Sequence, residues 1–157
     1  MRILVLGSGA REHSIIRALL DDPGDDEIIA APGNAGISEE VSVTELRIED
    51  PDAVCEFARD HRIELVIVGP EAPLIAGVAG ALRKLGIPVF GPSTEAAAIE
   101  GSKSFAKEIM ASAKIPTAKS ILVTTDKELA EALATLNSPY VVKADGLAGG
   151  KGVVVTE

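Results

Sequence analysis

Residues 2–13 read Arg2-Ile3-Leu4-Val5-Leu6-Gly7-Ser8-Gly9-Ala10-Arg11-Glu12-His13, an apolar run that stops at two glycines and opens into a polar turn. Four consecutive aliphatic residues have the composition of a strand buried on both faces. Helical period follows over residues 12–21, where Ile15, Ile16, Leu19 and Leu20 fall on one stripe. A buried strand, a tight glycine turn and a helix make the first unit of a parallel sheet with crossover helices.

The same grammar repeats downstream. Residues 28–31, 65–68 and 88–90 read as further strands buried on both faces. Residues 52–60 place Val54, Phe57 and Ala58 on one helical stripe. Residues 74–85 read as one apolar helix with Arg83 and Lys84 in its last turn, where cations suit the helix dipole, and Gly86 stops it. The expected fold class is α/β, an open parallel sheet with helices on both faces. Residues 94–113 read as one or two helices, broken at Gly101-Ser102 with Ser102 as N-cap.

After Pro116 the pattern changes. Residues 120–123 read as a strand, residues 126–136 as a helix capped by Thr125 or Asp126, and residues 140–144 as a strand. A glycine-dense turn over residues 145–152 joins that strand to another at 153–155, so an antiparallel hairpin is expected. The reading divides the chain into residues 1–115 and 116–157. The hairpin has nothing after it to cover its apolar face, which reads as an incomplete second domain.

Composition narrows the function classes. Of 157 residues, 46% are apolar and 25% charged, so the chain can bury a real core, and with 3% aromatics it must do so with Ile, Val, Leu and Ala. A net charge of −9 without a basic cluster argues against a nucleic-acid partner, because phosphate-backbone binding needs Lys and Arg to release counterions. The single cysteine, Cys55, forms no internal disulfide and reads as a small buried thiol. The N-terminus enters a strand directly, without a signal-peptide pattern, and no run approaches the ~18 apolar residues of a membrane span. A cytoplasmic protein without a membrane partner is expected.

Three loops fall at the carboxyl ends of predicted parallel strands, where ligands of open α/β sheets bind. The first, Gly7-Ser8-Gly9-Ala10-Arg11-Glu12-His13, has the glycines and the following helix N-terminus of a phosphate site. Arg11 suits bidentate pairing with phosphate, and Glu12 suits an amine or hydroxyl. The same residues also make an ordinary polar first helical turn. A dinucleotide fingerprint wants glycine at position 12 and an acid after the second strand, but the chain has Glu12 and Ala30-Ala31-Pro32-Gly33. A nicotinamide-dependent oxidoreductase is therefore disfavoured. The second loop is Pro32-Gly33-Asn34-Ala35-Gly36 and the third is Val68-Gly69-Pro70-Glu71-Ala72-Pro73-Leu74. Each carries one polar residue on a rigid Gly/Pro frame, although either is also a sufficient turn without a ligand.

The fourth loop, Lys143-Ala144-Asp145-Gly146-Leu147-Ala148-Gly149-Gly150-Lys151-Gly152, is not a P-loop. Position 152 is Gly where Ser or Thr would hold magnesium, and a strand follows where a helix should. A hairpin lid whose N–H groups meet a triphosphate, with Lys143 reaching in from the strand, fits better. A flexible hairpin without ligand stays open as an alternative.

Together with Phe90-Gly91-Pro92 and Glu100-Gly101-Ser102-Lys103, these strings resemble the phosphoribosylamine–glycine ligase family of the ATP-grasp superfamily, in family order along almost the whole chain. The resemblance implies a Rossmann-like pre-ATP-grasp domain followed by the opening of an ATP-grasp domain. It implies ligation of glycine to 5-phosphoribosylamine in purine biosynthesis, with ATP consumed through glycyl phosphate. It assigns Lys103, Lys143, Asp145, Gly146, Gly149, Gly150, Lys151 and Gly152 to ATP. Gly7, Gly9, Arg11, Glu12, His13, Gly33, Asn34, Gly36, Pro70 and Glu71 fall to the sugar-phosphate substrate. Gly149 stands where relatives often carry Ala or Ser. Mg2+ or Mn2+ is implied, with ligands beyond residue 157, so no metal ligand or catalytic residue is named and the chain alone is expected to be inactive. Biotin carboxylase and other purine ligases share the front-end fold, and a noncatalytic ribose-phosphate or nucleotide-binding domain is the remaining alternative.

Overall fold

A computed structural model describes residues 1–136 and 138–156. Contacts divide the chain into two compact units, Met1–Ala97 and Ala98–Glu157. The first holds β1 (Arg2–Gly7), α1 (Ala10–Asp21), β2 (Glu27–Pro32), α2 (Ala35–Ser38), β3 (Ser42–Val43), α3 (Pro51–Asp60), β4 (Leu65–Val68), α4 (Glu71–Ile75), α5 (Val78–Lys84) and β5 (Val89–Phe90). Helix α6 (Thr94–Gly101) crosses the division. The second unit continues with α7 (Lys103–Ser112), α8 (Asp126–Thr135), β6 (Val141–Lys143) and β7 (Val153–Val155).

All five strands of the first sheet are parallel, in the order β3-β2-β1-β4-β5. The chain thus builds outward from β1 to β3, then crosses back to lay β4 and β5 on the other side. Successive side chains point to opposite faces, which explains the unbroken apolar runs. Ile3, Val5, Ile28, Ala30 and Ile67 pack with Ile16 of α1 and Ile37 of α2 on one face. Leu4, Leu6, Ile29, Ala31, Val66 and Val68 pack with Val54, Ala58, Leu74, Ala79 and Leu82 of α3, α4 and α5 on the other. Helices α1 and α4 leave adjacent strand ends toward opposite faces, so the ends of β1 and β4 form the topological switch point, the usual ligand position in such sheets.

Several expectations are corrected. The helix expected over residues 74–85 is two helices, because Gly77 sits at φ +93° as the N-cap of α5 and interrupts the ladder. Leu20 does not join the buried stripe of α1. Glu12 is buried instead (5% exposed), and it turns the inner face toward Glu12, Ile15, Ile16 and Leu19, leaving Leu20 44% exposed. Strand β5 is an edge strand, so Phe90 is 69% exposed and not buried on both faces. The edge strand β3 and the one-turn helix α2 were not anticipated; both are too short to carry a periodic signal. Residues 120–123 form no strand, and among the described residues no neighbouring strand offers them a ladder.

Other expectations hold. Ser102 caps α7 by accepting from the Phe105 N–H, and Thr125 caps α8 in a reciprocal box with Glu128. Strands β6 and β7 form the antiparallel hairpin, registered Val141 to Val155 and Lys143 to Val153. Cys55 is buried, and that burial raises its thiol pKa above the usual value.

A Leu pair tests the rotated stripe. Leu82→Ala removes a fully buried side chain and is expected to cost about 2–5 kcal/mol in urea unfolding. Leu20→Ala is expected to stay within about 0.5 kcal/mol of the parent; a large loss at Leu20 contradicts the packing of α1.

Candidate functional site

The Gly7, Asn34 and Glu71 corners meet at the carboxyl rim of the first unit's sheet. Gly33 N–H donates to the Gly7 carbonyl at 3.2 Å, and Gly69 N–H donates to the Leu6 carbonyl at 3.1 Å, extending the β1 pairings into all three loops. Asn34 ties two loops together: its Oδ1 accepts from Ile37 N–H at 3.0 Å as the α2 N-cap, and its Nδ2 donates to the Ser8 carbonyl at 2.8 Å. Arg11 ties the first loop to the third: Nη1 donates to the Gly69 carbonyl at 2.7 Å, and Nη2 lies 3.2 Å from Glu71 Oε1. Glu71, directly after the Pro70 N-cap, opens the first turn of α4.

Glu12 lies beneath this rim. Its Oε2 accepts from the Gly9 N–H at 2.6 Å. Gly9 is the N-cap of α1 and has no side chain to cap with, so the carboxylate supplies the anionic partner that the helix N-terminus favours. Glycine is required around it. A Cβ on Gly7 would lie 2.5 Å from Glu12 Cγ, one on Gly9 2.9 Å from Oε2, and one on Gly69 would collide with the carboxylate.

His13 turns toward α2. Its Nε2 lies 3.4 Å from Glu40 Oε1, which also receives Arg17 Nη1 at 3.0 Å. Burial works to raise the Glu40 carboxyl pKa, but the Arg17 and His13 contacts outweigh it and hold the group below the usual carboxylate value. Gly36 leaves room for the imidazole, since a Cβ there would lie 2.9 Å from His13 Cε1. Gly33, at φ +69°, would bring a Cβ 2.7 Å from Val43 Cγ1. Ser8, Gly69, Arg17 and Glu40 are participants that the sequence reading did not single out. Gly69 was visible as a glycine ending a buried strand, whereas the pairings of Arg17 and Glu40 span loops and leave no local signal.

In the second unit, Asp145 is bound to the first turn of α7. Its Oδ1 accepts from the Lys103 N–H at 2.5 Å and the Ser104 N–H at 3.1 Å, and its Oδ2 accepts from the Ser104 hydroxyl at 2.6 Å and the Ser102 hydroxyl at 3.2 Å. The Ser104 hydroxyl and N–H, followed by the Lys103 N–H and Ser102 hydroxyl, hold this carboxyl far below its ordinary pKa. Lys103 Nζ donates to the Gly146 carbonyl at 2.6 Å. The base of the glycine loop is therefore fixed to α7 at two points. Its far end closes with Lys151 N–H on the Ala148 carbonyl at 2.9 Å and Ala144 N–H on the Gly152 carbonyl at 2.8 Å. At the tip, Gly149 and Gly150 take φ of +53° and +74° with open space where a Cβ would be. Lys143 ends β6 and is exposed. Among the described residues no group of His, Cys, Asp and Glu could hold a metal ion.

Comparison with known proteins places this geometry in context. Residues 1–100 match the profile of the phosphoribosylglycinamide synthetase N domain, and residues 101–157 match its ATP-grasp (A) domain. The chain is 57% identical over 158 residues to phosphoribosylamine–glycine ligase of Leifsonia xyli and 55% identical over 157 residues to that of Streptomyces coelicolor. All of this chain is aligned in both cases, against 38% of each relative. The crystal structure of phosphoribosylamine–glycine ligase from Thermotoga maritima superposes with a TM-score of 0.78 at 32% identity, covering 99% of this chain and 36% of that one.

Two outcomes follow from the contacts. Asn34→Ala removes the α2 cap and is expected to destabilise the first unit by about 0.5–2 kcal/mol in chemical denaturation. Asp145→Asn tests the α7 clamp through pH. The folded Asp145 pKa is depressed, so its stabilisation is full above the unfolded value of about 3.9 and is lost as pH falls below it. Thermal unfolding should show the parent more stable than Asp145→Asn at neutral pH, with the gap closing below about pH 4; a pH-independent gap argues against the clamp.

Proposed function

The chain belongs to the phosphoribosylglycinamide synthetase family, and we propose that it forms the substrate-recognising and first nucleotide-clamping parts of a ligase that joins glycine to 5-phosphoribosylamine with ATP. The chain spans 38% of the length of the relatives it matches, so the overall reaction is assigned to a protein of the relatives' length. The meeting of the Gly7, Asn34 and Glu71 corners at one edge of the sheet is the observation that most supports the reading. It supplies one rim able to hold a small polar sugar derivative.

In the proposed reaction a glycine carboxylate oxygen attacks the γ-phosphorus of ATP and ADP departs. The amine nitrogen of 5-phosphoribosylamine then attacks the carbonyl carbon of glycyl phosphate. Phosphate leaves with the C–O bonding pair, and the nitrogen gives up a proton to yield glycinamide ribonucleotide. Such chemistry depends on positioning and on neutralising the transferring phosphoryl group. Lys103 and Lys143 are assigned to that neutralisation, and Asp145 to fixing the loop that carries Gly146, Gly149, Gly150, Lys151 and Gly152. Lys103 Nζ must exchange the Gly146 carbonyl for a phosphate oxygen. Gly7, Gly9, Arg11, Glu12, His13, Gly33, Asn34, Gly36, Pro70 and Glu71 are assigned to building the sugar-phosphate rim.

By task rather than compactness, residues 1–115 serve substrate binding and residues 116–157 begin the nucleotide clamp, with α7 lending Lys103. The divalent-ion ligands are assigned to the part of the relatives beyond the stretch that this chain matches. The 157-residue chain alone is accordingly proposed to be inactive. No helix among the described residues is long and apolar enough to cross a membrane, and a cytoplasmic setting with small-molecule partners completes the proposal.

A protein of the relatives' length should sustain ADP release through many turnovers only when glycine and 5-phosphoribosylamine are both present. In it, Lys143→Ala is expected to cost about 1.5–3 kcal/mol in kcat/KM for ATP, the scale of a lost charge-assisted hydrogen bond. Unchanged kinetics would remove Lys143 from this role, and sustained ADP release without glycine would remove the reaction itself.

A further inference from the structure

We propose that Glu12 is a specificity-determining residue: its carboxylate occupies the anion seat of the first βα turn and makes that corner refuse phosphate. In a glycine turn of this kind, a ligand phosphate normally takes the N–H groups at the helix start. Here the Gly9 N–H is given to Glu12 Oε2 at 2.6 Å. The carboxylate is buried, its residue being 5% exposed. It is enclosed by three glycines from two strand ends, Gly7, Gly9 and Gly69, none of which could carry a Cβ without striking it.

Two consequences follow. Gly9 itself is exposed, so a phosphate could reach it, but it would meet a like charge at contact range, because Glu12 Oε2 already lies 2.6 Å from the Gly9 nitrogen. The carboxylate also neutralises the positive end of α1, so the dipole no longer attracts a second anion. The turn therefore has the shape of a dinucleotide corner and the opposite electrostatic preference. Arg11 does not restore a phosphate seat at Gly9, because its guanidinium reaches across to the Gly69 carbonyl and Glu71.

This deepens the proposed function and, in its second half, rests on it. If the rim receives 5-phosphoribosylamine, the sugar enters with its hydroxyl and amine end toward Gly9 and its phosphate directed away from α1. The refusal of phosphate itself rests only on Glu12 and its cage.

The test uses the 157-residue chain and inorganic phosphate as the probe, read from the Gly9, Ala10 and Arg11 amide shifts by NMR titration. Glu12→Gln keeps an oxygen to accept from Gly9 N–H and removes only the charge. Phosphate is expected to bind that variant at least about tenfold more tightly than the parent, a difference of about 1.4 kcal/mol. Equal affinity, weaker binding by the variant, or binding to neither overturns the proposal. A phosphate-soaked crystal of the parent serves if the variant folds poorly: phosphate on the Gly9 N–H overturns the proposal, and a turn occupied by Glu12 alone supports it. Failure of glycine-dependent ADP release in the longer protein would sink the reaction and leave the phosphate result standing.

Discussion

A carboxylate buried between the ends of two parallel strands must find a donor, and in the first unit that donor is the N–H of Gly9. Much of the rim follows from this contact. The side chain that makes it needs space, so Gly7, Gly9 and Gly69 carry none. Glu12 sits on the inner face of α1, so the helix is rotated to bury Ile16 and half-bury Leu19 while Leu20 faces outward. Rotation of α1 in turn directs Arg11 toward the β4 loop and His13 toward α2.

The second unit uses the same physics in a different place. Asp145 satisfies N–H groups at the start of α7 as Glu12 satisfies the one at the start of α1. The difference lies in reach along the chain. Glu12 caps its own helix, whereas Asp145 comes from the hairpin and binds a helix more than one element away. That contact ties the base of the glycine loop to α7 by hydrogen bonds, while its tip, at Gly149 and Gly150, is unobstructed. The loop is thus tied at its root and uncrowded at its tip.

Much of this was readable from the residues. The apolar runs identified β1, β2 and β4 because their side chains pack into two cores, and Ser102 and Thr125 marked helix starts because their hydroxyls satisfy first-turn N–H groups. The three rim loops were readable as candidates because glycine and proline punctuate strand ends. What escaped depended on partners distant in sequence. The break at Gly77 lies inside an apolar run whose period did not betray it. The inward position of Glu12 could not be guessed from its charge, and the displacement of Leu20 followed from that one omission. The expected strand at residues 120–123 had the right composition, but a strand exists only with a neighbour to pair with.

The hairpin of β6 and β7 carries a further consequence for anyone handling this chain. Val141, Val142, Val153, Val154 and Val155 are all exposed, and among the described residues the two strands pair only with each other. Five β-branched side chains beside open backbone groups, with Lys143 at the end of β6 as the one charge on the two strands, are a template for strand addition between molecules. Concentrated solutions should therefore self-associate through this ribbon, and a lysine placed at Val154, the middle of β7, offers a direct way to keep the protein dispersed.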